Sequence, residues 1–419
     1  MTVKNLWAQR SLRWVFIANL VSMIGSGMNS AAVIWTILQR THSEESLGFL
    51  QAVQTLPAAL LMPFTGVLID REDRRHLLMW LDAGRAVVIA AVGVLAFTGR
   101  VELWHLYAMY IVVSIGFWMF WPTVTALIQE LTPESEFVGS NALIQAAVQG
   151  GWLLAGAMVG FVYNKIGLGG VLVIDFATYV ISFISYLFVR KGRHVVMQEH
   201  SPDAPTEAWA RYWHEVREGL HLIRNNRHIL LIGLASALFV AGMLTQGVVT
   251  APLSDRILKS GAVGYGWLNA GWAVGAFVSV WYAARMIRKM NARRAAALCL
   301  GVLALCNMVL PFSASLVIAV LVYFVMGSGR GLGGIAISSE MMELVPKRFM
   351  GRVQNTFYFV GTGLQITSCL LVGSIAHRTG LVYGFLIIGV LYLVASTTAT
   401  LAAVHPKQTL ASAEPPPTN

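Results

Sequence analysis

Charge is the scarcest thing in this chain. Of its 419 residues only 12% are Asp, Glu, Lys or Arg, while 56% are hydrophobic. Soluble domains carry roughly twice that share of charge, so a water-soluble globular protein is excluded. Cysteine is nearly absent. Cys299, Cys306 and Cys369 all sit inside apolar runs, with neither disulfide nor metal-ligand spacing, and read as small core residues. No metal and no cofactor is expected. The phosphate-binding pattern G-x-x-x-x-G-K-[ST] is missing, which argues against an ATP-driven pump. Segments of alternating polarity are missing too, which argues against a membrane β-barrel. Histidines are scattered, and His105 reads as an interfacial residue rather than a ligand. No nucleophile–base pair marks an enzyme. The net charge of +10 is no nucleic-acid signal, because the basic residues cluster in short loops between apolar runs. A cleavable leader is not expected, since segment 7–13 is basic and amphipathic and the run behind it has full membrane length.

What the chain has in abundance is apolar runs of about 20 residues, each long enough to cross a bilayer as a helix. Twelve helices are expected, at 12–37, 46–68, 77–99, 103–128, 140–165, 169–189, 229–251, 263–286, 295–311, 315–338, 352–375 and 380–403. Cytoplasmic loops hold an excess of Lys and Arg. With the N-terminus inside, twenty-two of the 30 basic residues fall on the cytoplasmic side and six on the outer side, with Arg85 and Arg330 left within helices. Both termini are therefore expected in the cytoplasm, in a multi-pass protein of the cell (inner) membrane surrounded by lipid. The longest polar segment, 190–228, separates an N-terminal six-helix bundle (1–189) from a C-terminal one (229–405), and 406–419 reads as a disordered tail. In the linker, Trp209, Trp213, Val216, Leu220 and Ile223 fall near one face over 209–224. That segment reads either as an amphipathic helix on the inner membrane surface or as a solvated linker helix.

The densest signal is Gly66-Val-Leu-Ile-Asp70-Arg71-Glu72-Asp73-Arg74-Arg75, between the second and third runs. It resembles the loop 2–3 signature of the major facilitator superfamily of transporters, with Asp73 standing where that family has Gly. The resemblance implies an all-α membrane protein of twelve helices in two six-helix pseudo-repeats. It also implies a gating role for Gly66, Asp70, Arg71, Arg74 and Arg75, which would latch the two halves in one state. The alternative is that three arginines anchor a loop at lipid headgroups. A worn counterpart without a carboxylate runs from Arg285 to Arg294. Asp82 and Arg85, three apart, form a self-neutralising pair. Asp-x-x-Arg at this place is similar to the enterobactin-exporter and macrolide-efflux group of the same family and joins the gating set. That group often has Asp at the place of Asp175, to which a packing role falls. Thr41-His42-Ser43, Asn141-Ala142-Leu143 and Gly351-Arg352-Val353 carry the resemblance along nearly the whole chain. Gly150, Gly151, Gly156 and Gly160 are similar to the antiporter motif, with Ala157 in place of its proline, which weakens the support for proton antiport.

Ionisable residues inside a membrane are costly, so each needs a reason. Arg330 lies in a glycine-rich stretch, 327–334, well inside helix ten. It serves either to attract a carboxylate, phosphate or catecholate, or to pair with Glu340 or Glu130, or to snorkel. In the resembled fold, helices one, four, seven and ten line a central cavity. Asn29, Ser26, Tyr110, Trp118, Gln246 and Tyr358 join Arg330 as candidate substrate-binding residues, because aromatic faces with a few amides suit a large amphipathic molecule. Helix packing is the alternative for each. The carboxylates available for proton coupling are Glu130, Glu340 and Asp82.

The sequence thus reads as a secondary exporter working by alternating access on a small amphipathic molecule. Proton exchange and a monomeric state are implied by the resemblance. A siderophore or related secondary metabolite is preferred, because helix one lacks the acidic residue many multidrug antiporters carry there, as does the enterobactin exporter. Macrolide or multidrug efflux and lysophospholipid transport are alternatives. A non-transporting membrane receptor stands outside that class.

Overall fold

The computed structural model describes residues 9–133, 136–190, 210, 213, 217, 220–221, 223–345 and 350–404. At 58–59, 62–64, 66–67, 70–71, 137–138, 284, 351–352 and 403–404 only the backbone is described. Gly66, Asp70 and Arg71 of the loop signature therefore have no described side chains. The expected surface helix at 209–224 and the tail at 406–419 lie mostly or wholly outside the described residues.

Among the described residues, twelve long helical segments follow one another: α1 (Arg10–Thr41), α2 (Glu44–Arg71), α3 (Arg74–Phe97), α4 (Leu103–Leu131), α5 (137–166), α6 (168–187), α7 (Arg227–Pro252), α8 (Gly261–Met290), α9 (Ala292–Val309), α10 (Leu316–Leu344), α11 (Met350–Thr379) and α12 (Leu381–Val404). The described residues contain no strand. α5 and α6 are one helical run broken at Gly167, whose φ of 63° and ψ of −169° are open to a residue without Cβ. Nine helices among the described residues are long and apolar enough to cross a membrane, one of them spanning both α5 and α6. α2 and α8 are outside that set, and the glycines of α8 serve packing. Gly266 lies against the α5 backbone at Gly156 and Gly160, and Gly271 against the Val320 carbonyl of α10. Small residues of this kind let helix backbones approach in lipid.

Side-chain caps set several helix starts, satisfying backbone donors that have no partner within the helix. Ser43 caps α2, Asn226 caps α7 and Ser315 caps α10. Asp73 caps α3, its carboxylate accepting from the backbone N–H of Arg75 (3.0 Å) and His76 (3.3 Å). Its φ of −65° and ψ of 115° are extended, so the turn does not require glycine. His105 belongs to a capping box on α4, its Nδ1 accepting from the backbone N–H of Glu102 at 2.9 Å, as suits an end residue rather than a ligand.

The first six helices pack together, with α1 and α3 laid on the α5–α6 run, and the last six do likewise through α8–α10, α9–α12 and α7–α12. One ion pair recurs in both sets. Arg74 at the start of α3 meets Glu130 at the end of α4 (2.8 Å), and Arg293 at the start of α9 meets Glu340 near the end of α10. The loop cluster of the second half thus draws its carboxylate from a neighbouring helix rather than from the loop. Bulky apolar side chains such as Leu60, Val87, Leu321 and Trp281 point outward and are more than half exposed, as lipid-facing residues do.

The two sets join through α2–α11, α5–α8 and α2–α7. The joining contacts include those at the end carrying the α1–α2 and α7–α8 turns. There Gly48 of α2 lies against the Cys369 carbonyl of α11, and Gly160 of α5 against Ala262 and Val263 of α8.

Candidate functional site

A closed polar network fills the middle of the first six helices. The Asp82 and Arg85 spacing of three on α3 puts both side chains on one face, and they pair at 2.5 Å. Asp82 also accepts from Ser182 Oγ of α6 at 2.6 Å. The guanidinium donates to Tyr179 OH at 3.2 Å and lies over the Tyr179 and Phe120 rings, 4.4 and 5.7 Å from their centroids. Tyr179 OH in turn bonds Ser26 Oγ of α1 at 2.8 Å. One turn further along α1, Asn29 Nδ2 donates to Asp175 Oδ2 at 2.7 Å. Asp82, Arg85, Asp175, Tyr179, Ser182 and Asn29 are all at most 1% exposed, while Ser26 is half-buried. Hydrogen-bonded groups of this kind are affordable in a membrane interior only as a satisfied set.

The second six helices hold a different arrangement. Arg330 of α10 donates Nε–H to Met243 Sδ of α7 at 2.8 Å and sits 5.8 Å from the Trp272 ring centroid of α8. No ion pair joins it to a carboxylate among the described residues. Glu340 is held by Arg293 and Glu130 by Arg74, so neither expected partner is free for it. Arg330, Met243 and Trp272 are all half-buried. Nearby, Gln246 donates to Tyr323 OH at 3.3 Å, and Tyr323 donates to Thr250 at 2.8 Å.

The remaining candidates fall in two groups. Asn29, Tyr110 and Gln246 are at most 4% exposed, inside packed helix contacts rather than on an open wall. Trp118 and Tyr358 are half-buried and meet across the two sets with ring centroids 5.9 Å apart. Arg74 and Arg75 stay within the first set: Arg74 on Glu130, and Arg75 Nη1 on the Val189 carbonyl beyond α6 at 2.7 Å. Each carboxylate expected to carry protons, Glu130, Glu340 and Asp82, holds an arginine.

The sequence reading missed a cluster that crosses between the sets. Glu44, fully buried at the start of α2, bonds Arg256 Nη1 at 2.6 Å and lies 3.4 Å from His377 Nδ1 of α11. Arg256 also donates to the His42 carbonyl at 2.6 Å. Gln365 of α11 donates to Thr55 of α2, and Gln51 of α2 to the Leu244 carbonyl at 3.2 Å. The signal available in the sequence was a carboxylate in the first turn of α2, facing a basic residue in the α7–α8 turn.

An all-helical fold with nine membrane-length helices among the described residues, in two sets that meet across buried polar clusters, is that of a multi-pass membrane protein. The model of the Major Facilitator Superfamily matches residues 15–368, and the chain belongs to that family. It is 24% identical over 230 residues to Macrolide efflux protein A of Streptococcus pyogenes, covering 54% of each chain. It is 26% identical over 342 residues to the putative bacilysin exporter BacE of Bacillus amyloliquefaciens, covering 77% of each. Its fold matches the POT family transporter PepTSo with a TM-score of 0.76 at 11% identity, over 94% of this chain and 98% of that one.

Proposed function

We propose that the chain exports a small amphipathic molecule bearing an anionic group, of the siderophore or related secondary-metabolite kind, by alternating access and proton antiport. The observation that carries the substrate class is Arg330. A guanidinium at membrane depth without a carboxylate is costly, and its remaining donors suit the two oxygens of a carboxylate, phosphate or catecholate. Trp272 beside it, and Trp118 and Tyr358 at the junction of the sets, offer flat apolar faces for the rest of the molecule.

The excess of basic residues supports placing the α2–α3 end in the cytoplasm. The state described is then the one sealed toward the outside, with substrate loading from within. Efflux also fits the two relatives, one a macrolide efflux protein and the other a putative bacilysin exporter. Macrolide efflux is the second reading, favoured by the first of those likenesses.

The test is export from cells stripped of their own efflux pumps. The compounds are a catecholate siderophore, a carboxylate siderophore, a macrolide and a fluorescent lysolipid, each with and without an uncoupler. Uncoupler-sensitive export of a siderophore, lost in Arg330→Ala and reduced in Arg330→Lys at equal expression, is the expected result. Export of the macrolide alone, indifferent to Arg330, overturns the substrate class. Siderophore export undiminished in both variants removes the anion site.

A further inference from the structure

We infer that Asp175 is a proton-binding site, carried as a neutral carboxylic acid in the state described. The network in the first six helices holds two carboxylates and one guanidinium, all essentially without solvent contact. Asp82 takes the guanidinium directly and a serine hydroxyl besides. Asp175 takes only neutral donors: the Asn29 amide at 2.7 Å, and the Thr178 hydroxyl at 3.4 Å, which also donates to the Asp175 carbonyl at 2.7 Å. One negative charge is therefore left over in a closed interior. A buried carboxylate without a counter-charge takes up a proton rather than remaining ionised.

The surroundings of Asp175 support this count from every packed element. α1 presents Asn29 and the bare backbone of Gly25, where a Cβ would collide with Asp175 Oδ1 and Thr178 Oγ1. No titratable side chain reaches it from there. α3 presents Asp82 and Arg85, already paired with each other, as the charged groups acting on it. α4 presents Tyr110, and α6 itself Tyr179. No lysine, histidine or second arginine faces the site among the described residues. A further observation is the orphan on Asn29. Its amide nitrogen donates to Asp175, but its Oδ1 is buried without a partner. A protonated carboxyl supplies the missing donor, since an acid and a primary amide can exchange two hydrogen bonds, O–H to amide oxygen and amide N–H to carboxyl oxygen. Ser26, one turn from Asn29, is half-buried, and its hydroxyl continues through Tyr179 to Arg85. Movement of α1 against α6, on which the network depends, would expose Asp175 or reorient the Arg85 charge toward it and release the proton.

The site stands apart from the export reading, which is needed only for what the proton drives. The test is infrared difference spectroscopy on the purified full chain while pH is changed, with the proton itself as the probe. Wild type is expected to show the C=O stretch of a protonated buried carboxyl. Asp175→Asn is expected to lose that band, whereas Glu130→Gln and Glu340→Gln retain it. If Asp175→Asn does not fold, Asp175→Glu must shift the band. A band that stays in place in Asp175→Glu, that disappears in Asp82→Asn alone, or that is absent from wild type at every pH overturns the proposal. In the export assay, a chain that moves none of the four compounds but keeps the Asp175 band loses the export reading and keeps the site. A chain that exports under a proton gradient without that band loses the site and keeps the reading.

Discussion

A missing methyl group decides where Arg85 can run. Gly116 of α4 faces it so closely that a Cβ would sit 2.6 Å from Arg85 Cδ and 2.8 Å from Nε. The guanidinium is pinned by Asp82 and Tyr179, so the side chain cannot step aside. Overpacking of this kind costs about 1–3 kcal/mol. Gly116→Ala is therefore expected to lower the melting temperature of the detergent-purified protein by several degrees. Gly93→Ala, where the nearest atom lies at 3.6 Å, is expected to leave it unchanged or raised. Equal melting of the two variants would mean that Arg85 is not held as described. The Asp82–Arg85 pair was legible in the sequence because its partners share a helix face. The Asn29–Asp175 pair was not, because 146 residues separate its members and nothing local marks either as the other's partner. The packing role expected of Asp175 fits its contact with Asn29 and Gly25 of α1, and its neutral donors are the basis of the proton-binding proposal.

At the scale of the element, the helical character and order of the segments were legible because twenty apolar residues in a row have few other fates. Helix ends were less so. The second and third helices run to within two residues of each other, and Glu72 and Asp73 make the whole connection. The reason lies in Asp73. A carboxylate at an N-cap satisfies two donors of the first turn, so the helix can begin three residues earlier than hydrophobicity indicates. Asp73→Ala is expected to cost about 1 kcal/mol, read as a small fall in melting temperature. Asp73→Asn or Asp73→Ser should restore most of it, since both keep a capping oxygen. Asp73→Gly, which restores the residue of the resembled signature, should restore a good part of it as well, glycine being a tolerable cap. Failure of all three rescues would assign the loss to something other than the cap. The recurrence of the Arg74–Glu130 pair as Arg293–Glu340 was half visible: the arginine clusters stood out, but their carboxylates come from the far ends of other helices.

At the scale of the molecule, the two sets of six are held at the α1–α2 end by contacts that no local pattern could reveal, since Glu44 and Arg256 lie 212 positions apart. Alternating access requires that seal to open. Glu44 is fully buried while Arg256 is 39% and His377 42% exposed on their side chains. Water thus weakens the pair from one side, and its worth is about 1 kcal/mol. Glu44→Gln keeps the shape and removes the charge. It is expected to move the balance toward the opened state by about fivefold, the ratio corresponding to that energy. Cys369 is a native reporter for the change. It is fully buried, its carbonyl against Gly48 of α2 and its thiol 3.5 Å from Thr245 Oγ1 of α7, so withdrawal of α2 from both α7 and α11 is expected to uncover it. In a Cys299→Ser, Cys306→Ser background, a membrane-impermeant maleimide added outside intact cells should label Cys369 faster in Glu44→Gln than in the parent. His377→Ala, which removes the longer contact to Glu44 and leaves Arg256 in place, should produce a smaller increase. Labelling from outside that is equally slow in all three proteins would mean that the Gly48 crossing alone keeps this end shut. Labelling reached only from the cytoplasmic side, in inverted vesicles, would reverse the orientation that the basic loops support.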